Sequence, residues 1–290
     1  TTLAENNKSH INLYVALGIK SRACLAEGDW DGAFKAAKRV IDEGGYAVGT
    51  KSDLTGGMNS LGKQNVMWGA GIQVADQAGG YAGFFTHMDN KEGAYAKSAP
   101  KLISKQLYNR ISATDIRRDW WDPSDKESPY VSKKFSFGNV ASFLGDYIYM
   151  RVEEMYFTAA EAALRLDDLK SARELMNTVM AERDPGYSAN NRSGTLLGAT
   201  TTTWTGSFLE NILTHRRIEL WGEYGRLFDV RRLGQGIDRR TDDGFSEECI
   251  SMMNRRNVNI TKADTYDWVL TIPKAELDAN PNINEEDQNP

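Results

Sequence analysis

The fold is indicated by two stretches of the chain that resemble each other, Arg22-Ala-Cys-Leu-Ala-Glu-Gly-Asp-Trp-Asp-Gly-Ala33 and Glu161-Ala-Ala-Leu-Arg-Leu-Asp-Asp-Leu-Lys-Ser-Ala172. In each, small and apolar residues recur at helical spacing before and after a polar turn. The sequence therefore predicts two helix-turn-helix units, over residues 9–46 and 147–187. Superposing Ala33 on Ala172 also aligns Ala23 with Ala162, Leu25 with Leu164, Asp29 with Asp168 and Val40 with Val179.

Both units place an aspartate, Asp29 or Asp168, where the N-cap of the second helix is expected. Small residues on either side of the turn let the two helices approach closely, a pattern that is similar to the tetratricopeptide repeat. Two unrelated hairpins are the alternative, since alanine-rich amphipathic helices are common. The expected fold class is mainly α, with tetratricopeptide-like helical hairpins, long loop-rich excursions and little β structure.

The region between the units, residues 47–145, is rich in Gly, Ser, Asn and aromatic residues and has little helical periodicity. Within it, Asn65–Val74 predicts a strand, and Lys101–Arg110 predicts a short helix with Pro100 near its first turn. A longer helix is expected to begin near Ser207. Loops this long inside a compact domain are usually functional or disordered, so residues 47–145 are the expected ligand region.

The composition is that of a globular protein and excludes several functional classes. Of 290 residues, 40% are hydrophobic and 26% are charged, and the net charge is -5. The chain has no basic stripe of the kind that binds nucleic acid, and no stretch reaches the ~18 apolar residues of a membrane span. The two cysteines, Cys24 and Cys249, form no zinc-binding pattern, and whether they pair is left open.

A charged motif runs from Asn211 to Gly234. On a continuous helix, Glu219 and Glu223 lie one turn apart on the same face. Such a pair is also typical of a retaining glycosidase, but a general acid needs a raised pKa, and surrounding arginines would keep both carboxylates ionised. Because arginine binds carboxylates well, the motif predicts a structural ion network made of Arg216, Glu219, Glu223, Arg226, Asp229 and Arg232.

The motif resembles the SusD/RagB family, whose pattern is roughly Glu-Arg-x-x-Glu-Leu-x-x-Glu-Gly-x-Arg-x-x-Asp-Leu-x-Arg. His215 stands where that pattern has Glu, and Tyr224-Gly225 replaces its Gly-x. The family also closes with signatures similar to Leu270-Thr-Ile-Pro-Lys-Ala-Glu-Leu277, Asn280-Pro-Asn282 and Gln288-Asn-Pro290. The resemblance implies one SusD-like domain over residues 1–290, an α-α superhelix that is the C-terminal portion of a longer protein, with residues 207–290 as its motif region.

The resemblance further implies a non-catalytic lipoprotein on the outer surface of the outer membrane in Bacteroidetes-type bacteria. Such a protein is expected to bind a polysaccharide or oligosaccharide for a SusC-like TonB-dependent transporter, with a lipid anchor that is absent from this chain and with no cofactor. The sequence contains no Gly-x-Ser-x-Gly elbow, phosphate loop or His-Glu-x-x-His motif. The alternative function is a tetratricopeptide-like scaffold that binds proteins and has no carbohydrate site of its own.

Glycan contacts are expected among the loop aromatics, because a flat ring packs on the C–H face of a sugar while polar groups bind its hydroxyls. The alternative for each aromatic is the local core of a large loop, most of all for Trp68 on its predicted strand. Calcium at Asp122 and Asp125 is left open. The predicted contacts are Tyr81, Phe84, Phe85, Trp120, Trp121 and Trp68, with His87 and Tyr130 as further aromatic candidates and Gln73, Asp76, Gln77, Asp89, Asn90 and Asp122 as polar ones.

Overall fold

A computed structural model describes residues 7–76, 83–197, 205–235 and 270–289. They belong to two compact units, Thr1–Leu197 with Thr205–Arg226, and Gly198–Trp204 with Leu227–Pro290. Within these described ranges, no helix is both long enough and apolar enough to cross a membrane.

The helices are α1 (Leu13–Glu27), α2 (Trp30–Glu43), α3 (Lys51–Thr55), α4 (Phe84–Met88), α5 (Ala94–Ser98), α6 (Lys105–Tyr108), α7 (Val152–Arg165), α8 (Leu169–Ala181), α9 (Phe208–Glu219), α10 (Arg226–Arg232) and α11 (Lys274–Ala279). The strands are β1 (Val66–Ala70), β2 (Trp121–Asp122), β3 (Val131–Ser132) and β4 (Tyr147–Arg151).

The two predicted helix-turn-helix units are present as α1–α2 and α7–α8, and their turns are built alike. Asp29 and Asp168 are the N-caps of α2 and α8, and each side chain accepts a hydrogen bond from the backbone N–H three residues on. The residue before each cap adopts a left-handed conformation, with φ +86° at Gly28 and +63° at Asp167. The aligned positions of the sequence are therefore equivalent in conformation as well.

The two hairpins pack directly on each other although about a hundred residues separate them in sequence. Helix α2 packs against both α1 and α7, and α7 also packs against α8 and α9. At the crossing of the hairpins, Ala33 of α2 and Ala162 of α7 are fully buried beside Cys24 and Leu25. Small side chains at these positions allow the close approach, and the predicted mainly α fold is confirmed.

Strand β1 pairs with β4 in an antiparallel two-stranded sheet, and β4 leads directly into α7. The predicted strand Asn65–Val74 is shorter in the structure, since β1 ends at Ala70 and a 3-10 turn follows at Val74–Asp76. A Cβ on Gly69 would lie 2.2 Å from the carbonyl oxygen of Tyr147 on β4. The sheet therefore ties the loop region to the start of the second hairpin.

The predicted helix over Lys101–Arg110 is largely wrong, because helical structure is confined to α6. Lys101 accepts a strand-like hydrogen bond at 2.8 Å from the backbone N–H of Ser132, and Leu102 forms a β-bridge with Val131. Ser104 then caps α6. The loop region has an aromatic-rich core of its own, formed by Leu54, Met58, Phe85, Ile103, Leu107, Tyr108, Ile111, Trp120, Trp121, Phe135 and Phe137 with Ile218 of α9.

Helix α9 begins after its N-cap Ser207, as predicted, but it ends at Glu219 instead of continuing through the charged motif. Gly222 has φ +74°, a conformation that L side chains rarely adopt. A Cβ at this position would lie 2.6 Å from the ring of Phe135. The turn at residues 220–225 therefore packs tightly on the loop core, and the expectation that Glu219 and Glu223 share one helical face is wrong.

In the second unit, the side chains of Gln288 and Asn289 bind the chain that precedes α11. Gln288 accepts a hydrogen bond from the backbone N–H of Ile272 at 2.7 Å and donates one to its carbonyl at 3.0 Å. Asn289 donates to the carbonyl of Leu270 at 2.8 Å. The two ends of this segment are thereby held together around α11.

Candidate functional site

An open cavity of about 390 Å³ lies where the loop region meets the first hairpin and the β1–β4 sheet. Two of the predicted glycan contacts, Trp68 on β1 and Phe84 on α4, line it. Most of its other walls are aromatic or aliphatic, and its charged groups are Arg22 and Glu223. The lining residues are Arg22, Met58, Trp68, Phe84, Phe135, Tyr147, Ile148, Tyr149, Gly222, Glu223 and Tyr224.

Trp68 and Tyr149 form the most accessible aromatic pair of the cavity. They lie on the paired strands β1 and β4, with ring centroids 5.1 Å apart and planes at 70°. Trp68 is partly buried, whereas Tyr149 is 42% exposed. Trp68 packs against the hydrophobic core, as the alternative for it expects, and it also lines the cavity.

Phe84 is the centre of the deeper aromatic wall. Its ring meets Phe135 edge to face at 5.2 Å and Tyr147 at 6.0 Å. Its backbone N–H donates to the hydroxyl of Tyr147 at 3.4 Å. Edge-to-face contacts of this kind fix ring orientations beyond what apolar burial does. The wall is therefore a preformed aromatic surface.

Arg22 of α1 forms one polar side of the cavity. Its Nε and Nη2 donate to the two carboxylate oxygens of Glu154 at 2.8 and 2.6 Å, and Nη2 also donates to the carbonyl of Tyr149 at 2.7 Å. The guanidinium lies 3.7 Å from the ring centroid of Tyr224. This side chain is therefore held in place by several contacts, and its guanidinium is paired with Glu154.

Glu223 forms the other polar side, and its charge is also balanced. Arg151 donates to both carboxylate oxygens at 2.7 and 2.8 Å, and Lys134 donates to one of them at 2.5 Å. Burial on its own would raise the pKa of Glu223, but Arg151 and Lys134 together lower it. Burial lowers the pKa of Lys134 to about 8, against the opposing effect of Glu223.

Glu219, at the end of α9, is the centre of a fully buried ion network beneath this site. Arg117, Arg151 and Arg183 each donate to it, at 3.2, 3.0 and 2.9 Å. Burial alone would raise the pKa of Glu219, but the three guanidinium groups hold it well below its usual range. Arg183 and Arg151 also bind Glu153 at the start of α7. The network therefore joins the loop region, the start of α7, the segment that follows α8, and α9.

Glu219 and Glu223 are bound by cations that lie outside the charged motif. Arg216 instead lies 3.6 Å from Glu154, and Arg232 binds Asp229 at 2.7 Å within the second unit. Arg226 begins α10, and a single network that joins all six residues stays a prediction. Cations that bind Glu219 and Glu223 include Arg117, Lys134, Arg151 and Arg183, and no periodic pattern in the sequence indicates them.

His215, which stands where the family pattern has Glu, lies beside this network. Its Nδ1 is 2.8 Å from Nη2 of Arg117. Arginine can only donate, so Nδ1 accepts and the imidazole is neutral with its proton on Nε2. Burial and the charge of Arg117 hold the pKa of His215 well below its usual range.

Phe85, Trp120 and Trp121 were predicted as glycan contacts, but each is at most 2% exposed. The indole N–H of Trp120 donates to the carbonyl of Leu54 at 3.0 Å. Trp121 packs edge to face between Trp120 and Trp221. Rings enclosed in this way have no free face for a sugar, so these three residues are removed from the candidate contacts.

The remaining aromatic candidates lie elsewhere. His87 is exposed and stacks on Tyr95 with ring centroids 4.6 Å apart. Tyr130, with φ +68°, packs its ring on Tyr108. Tyr81 and the polar candidate Gln77 lie outside the described residues.

Three polar candidates line a second, more polar groove of about 680 Å³, namely Asp89, Asn90 and Asp122. Asp89 accepts from the backbone N–H of Phe137 at 3.0 Å, Asn90 donates to the carbonyl of Ser132 at 2.7 Å, and Asp122 accepts from Ser124. These side chains therefore organise their own loops. The other two, Gln73 and Asp76, lie just before and at the end of the 3-10 turn.

Asp125, the second residue at which calcium was left open, accepts from the backbone N–H groups of Glu127 and Ser128. Among the residues that the structure describes, no group of three or more His, Cys, Asp or Glu side chains is arranged to hold a metal ion. Cys24 is buried in the helical core, and Cys249 lies outside the described residues.

Comparison with known proteins identifies a family for this chain. The sequence profile of the SusD family matches residues 103–290. Comparison with curated proteins found no match.

Among solved structures, similar folds are found in several Bacteroides proteins. A SusD-like carbohydrate binding protein from Bacteroides vulgatus is 25% identical, with a TM-score of 0.74 over 96% of this chain and 60% of that one. A SusD superfamily protein from Bacteroides thetaiotaomicron is 22% identical, with a TM-score of 0.75 over 99% and 62%. The surface glycan-binding protein A of Bacteroides uniformis is 17% identical, with a TM-score of 0.63 over 100% and 63%. The chain thus spans about three fifths of the length of these relatives.

Proposed function

Since the chain belongs to the SusD family, we propose that it binds a polysaccharide or oligosaccharide at the outer surface of the cell without catalysing a reaction on it. The observation that carries this proposal is the pair Trp68 and Tyr149, which lines the aromatic cavity and in which Tyr149 is exposed. An accessible aromatic pair offers a surface on which the C–H face of a sugar ring can pack. The carbohydrate-binding relative from Bacteroides vulgatus adds support, because the two chains share their fold.

A binding role without catalysis fits the state of the buried carboxylates. Glu219 and Glu223 are each held ionised by two or three cations. A glycosidase needs one carboxylic acid with a raised pKa, and both pKa values are shifted downward. The pair is therefore suited to holding the fold together rather than to protonating a glycosidic bond.

Delivery to a SusC-like TonB-dependent transporter, from a lipid-anchored position on the outer membrane, is the second part of the proposal. Helix α1 leaves Leu13 and Ile19 exposed at 53% and 39%. Apolar side chains on a helical repeat are also what the scaffold alternative requires. This part of the proposal can be tested separately from glycan binding. The test is binding of the chain to a purified SusC-like transporter, measured by biolayer interferometry with Leu13→Asp and Ile19→Asp variants.

The glycan proposal is tested by quenching of intrinsic tryptophan fluorescence across a panel of soluble polysaccharides and oligosaccharides. We expect a saturable response to one glycan class that is lost in Trp68→Ala and Tyr149→Ala. Tyr95→Ala is the matched control, because Tyr95 is 39% exposed and is not a lining residue of the cavity. A response that survives both cavity variants would place the site elsewhere, and no response to any glycan would favour the scaffold.

A further inference from the structure

The aromatic cavity is poorly suited to enclosing a bare sugar. A sugar ring carries hydroxyl groups around its rim, and each one buried without a hydrogen-bond partner is unfavourable. Eight of the lining side chains are aromatic or aliphatic, and the only charged ones are Arg22 and Glu223. Both are already engaged in ion pairs with other residues of the protein. A sugar is therefore better placed at the mouth, against Trp68 and Tyr149, than inside.

The interior has the size and shape for an aromatic ring. An apolar protein cavity of about 150 Å³ is known to bind benzene, and this one has about 390 Å³. Phe84 and Phe135 already meet edge to face, at 5.2 Å and 88°. Rings favour this arrangement and offset stacking over other contacts. A further ring that enters the cavity would find both edges and faces in its walls.

The charges at the cavity favour a neutral ring over an acidic or basic one. Arg22 is paired with Glu154, which also lies near Arg216, and Glu223 is paired with Arg151 and Lys134. A charged group taken from water into the cavity would find both lining charges already engaged in ion pairs, which is costly. A neutral ring meets no such penalty and gains from leaving water.

We propose that this cavity binds a neutral aryl group carried on the glycan, such as an aromatic ester or an aryl aglycone, while the attached sugar packs on Trp68 and Tyr149. The inference rests on the proposed glycan binding for the sugar part alone. The ring-binding part depends only on the cavity. The expected ligand is therefore an aryl-substituted carbohydrate rather than a bare one.

The test is to titrate the chain with benzyl β-glucoside, methyl β-glucoside and benzyl alcohol, following binding by protein NMR chemical shifts. We expect saturable binding of both benzyl compounds and at least about tenfold weaker binding of methyl β-glucoside, the difference that 1.4 kcal/mol of contact energy produces. Ile148→Phe narrows the cavity at a lining position and should weaken the binding of both benzyl compounds, whereas Ile148→Ala should retain it. Leu166→Phe is the matched control, because Leu166 is 44% exposed and is not a lining residue of the cavity.

A crystal of the unmodified chain soaked in benzyl alcohol gives a result that does not depend on any variant. Density for the ring between Phe84 and Tyr149 would support the inference. Absence of saturable benzyl alcohol binding in solution, or equal binding by Ile148→Phe, would overturn it. If the benzyl compounds bind but no glycan of the panel does, the proposed function fails and the ring site stands; the reverse result removes the ring site alone.

Discussion

The helical hairpins and the loop region of the first unit are stabilised by different chemistry. The hairpins use local devices: an aspartate cap and a left-handed residue at each turn, with alanines where the helices cross. The loop region is joined to α9 by the buried charges around Glu219 and by an aromatic core. Local devices recur in the sequence and can be recognised there, whereas the charge network is assembled from distant residues.

The largest loss of stability is expected from Glu219→Gln, which disrupts the buried charge network. The change leaves Arg117, Arg151 and Arg183 buried around a neutral amide. Removing one partner from a buried ion pair typically costs about 3–5 kcal/mol, so the free energy of unfolding in urea should fall by that amount. Glu210→Gln on the same helix is the control, because Glu210 accepts from Thr205 and Gly206 and an amide oxygen can still accept. Equal losses in the two variants would refute the role of the network.

A smaller loss is expected from overpacking the hairpin crossing. Ala33→Leu and Ala172→Leu each insert three carbons at a position with no exposed surface, which typically destabilises by about 1–3 kcal/mol. Lys35→Leu on the same helix, at a side chain that is 73% exposed, should leave the unfolding midpoint nearly unchanged. If Ala33→Leu changes the unfolding midpoint no more than Lys35→Leu does, the helices are not closely packed at Ala33.

The buried imidazole of His215 makes the stability of the network depend on pH between neutral and mildly acidic conditions. Because the pKa of His215 is lowered in the folded state, the unfolded chain binds a proton below about pH 6.5 that the folded chain does not. Stability is therefore present above that pH and is lost as the pH falls, by at most about 1.4 kcal/mol per pH unit from this group. His215→Gln should flatten the dependence of the unfolding free energy between neutral and mildly acidic pH, whereas His87→Gln, at an exposed histidine, should not.

The smallest expected effects are at the caps, and they test whether the two hairpins are equivalent. Asp29→Ala and Asp168→Ala each remove one hydrogen bond to the first turn of the second helix. Both variants should lower the thermal unfolding midpoint slightly and by similar amounts. A large effect at one cap and none at the other would show that the two turns contribute unequally to the stability of the fold.

The sequence predicted the hairpins, their caps and the start of α9 because each depends on residues within one or two turns of each other. It did not predict the end of α9, since the break depends on Gly222 packing against Phe135, which is far away in sequence. The short extent of α6 has a similar cause, because Lys101 and Leu102 pair with residues 131–132 across the loop.

The candidate site was predictable only in part. The expectation of aromatic contacts in residues 47–145 led to Trp68 and Phe84, which do line the cavity. Tyr147, Tyr149 and Arg22 were missed because they belong to the predicted hairpins, where apolar and charged residues appeared to serve helix packing. Burial of Phe85, Trp120 and Trp121 depends on how the loop folds over them, and no local pattern distinguishes such rings from exposed ones.

The most direct test of glycan capture at the cavity is a crystal structure with a bound oligosaccharide, chosen from the class that quenches tryptophan fluorescence. We expect density for a sugar ring packed on Trp68 and Tyr149. Density for the sugar in the polar groove beside Asn90 and Asp122, with no sugar against Trp68 and Tyr149, would contradict it.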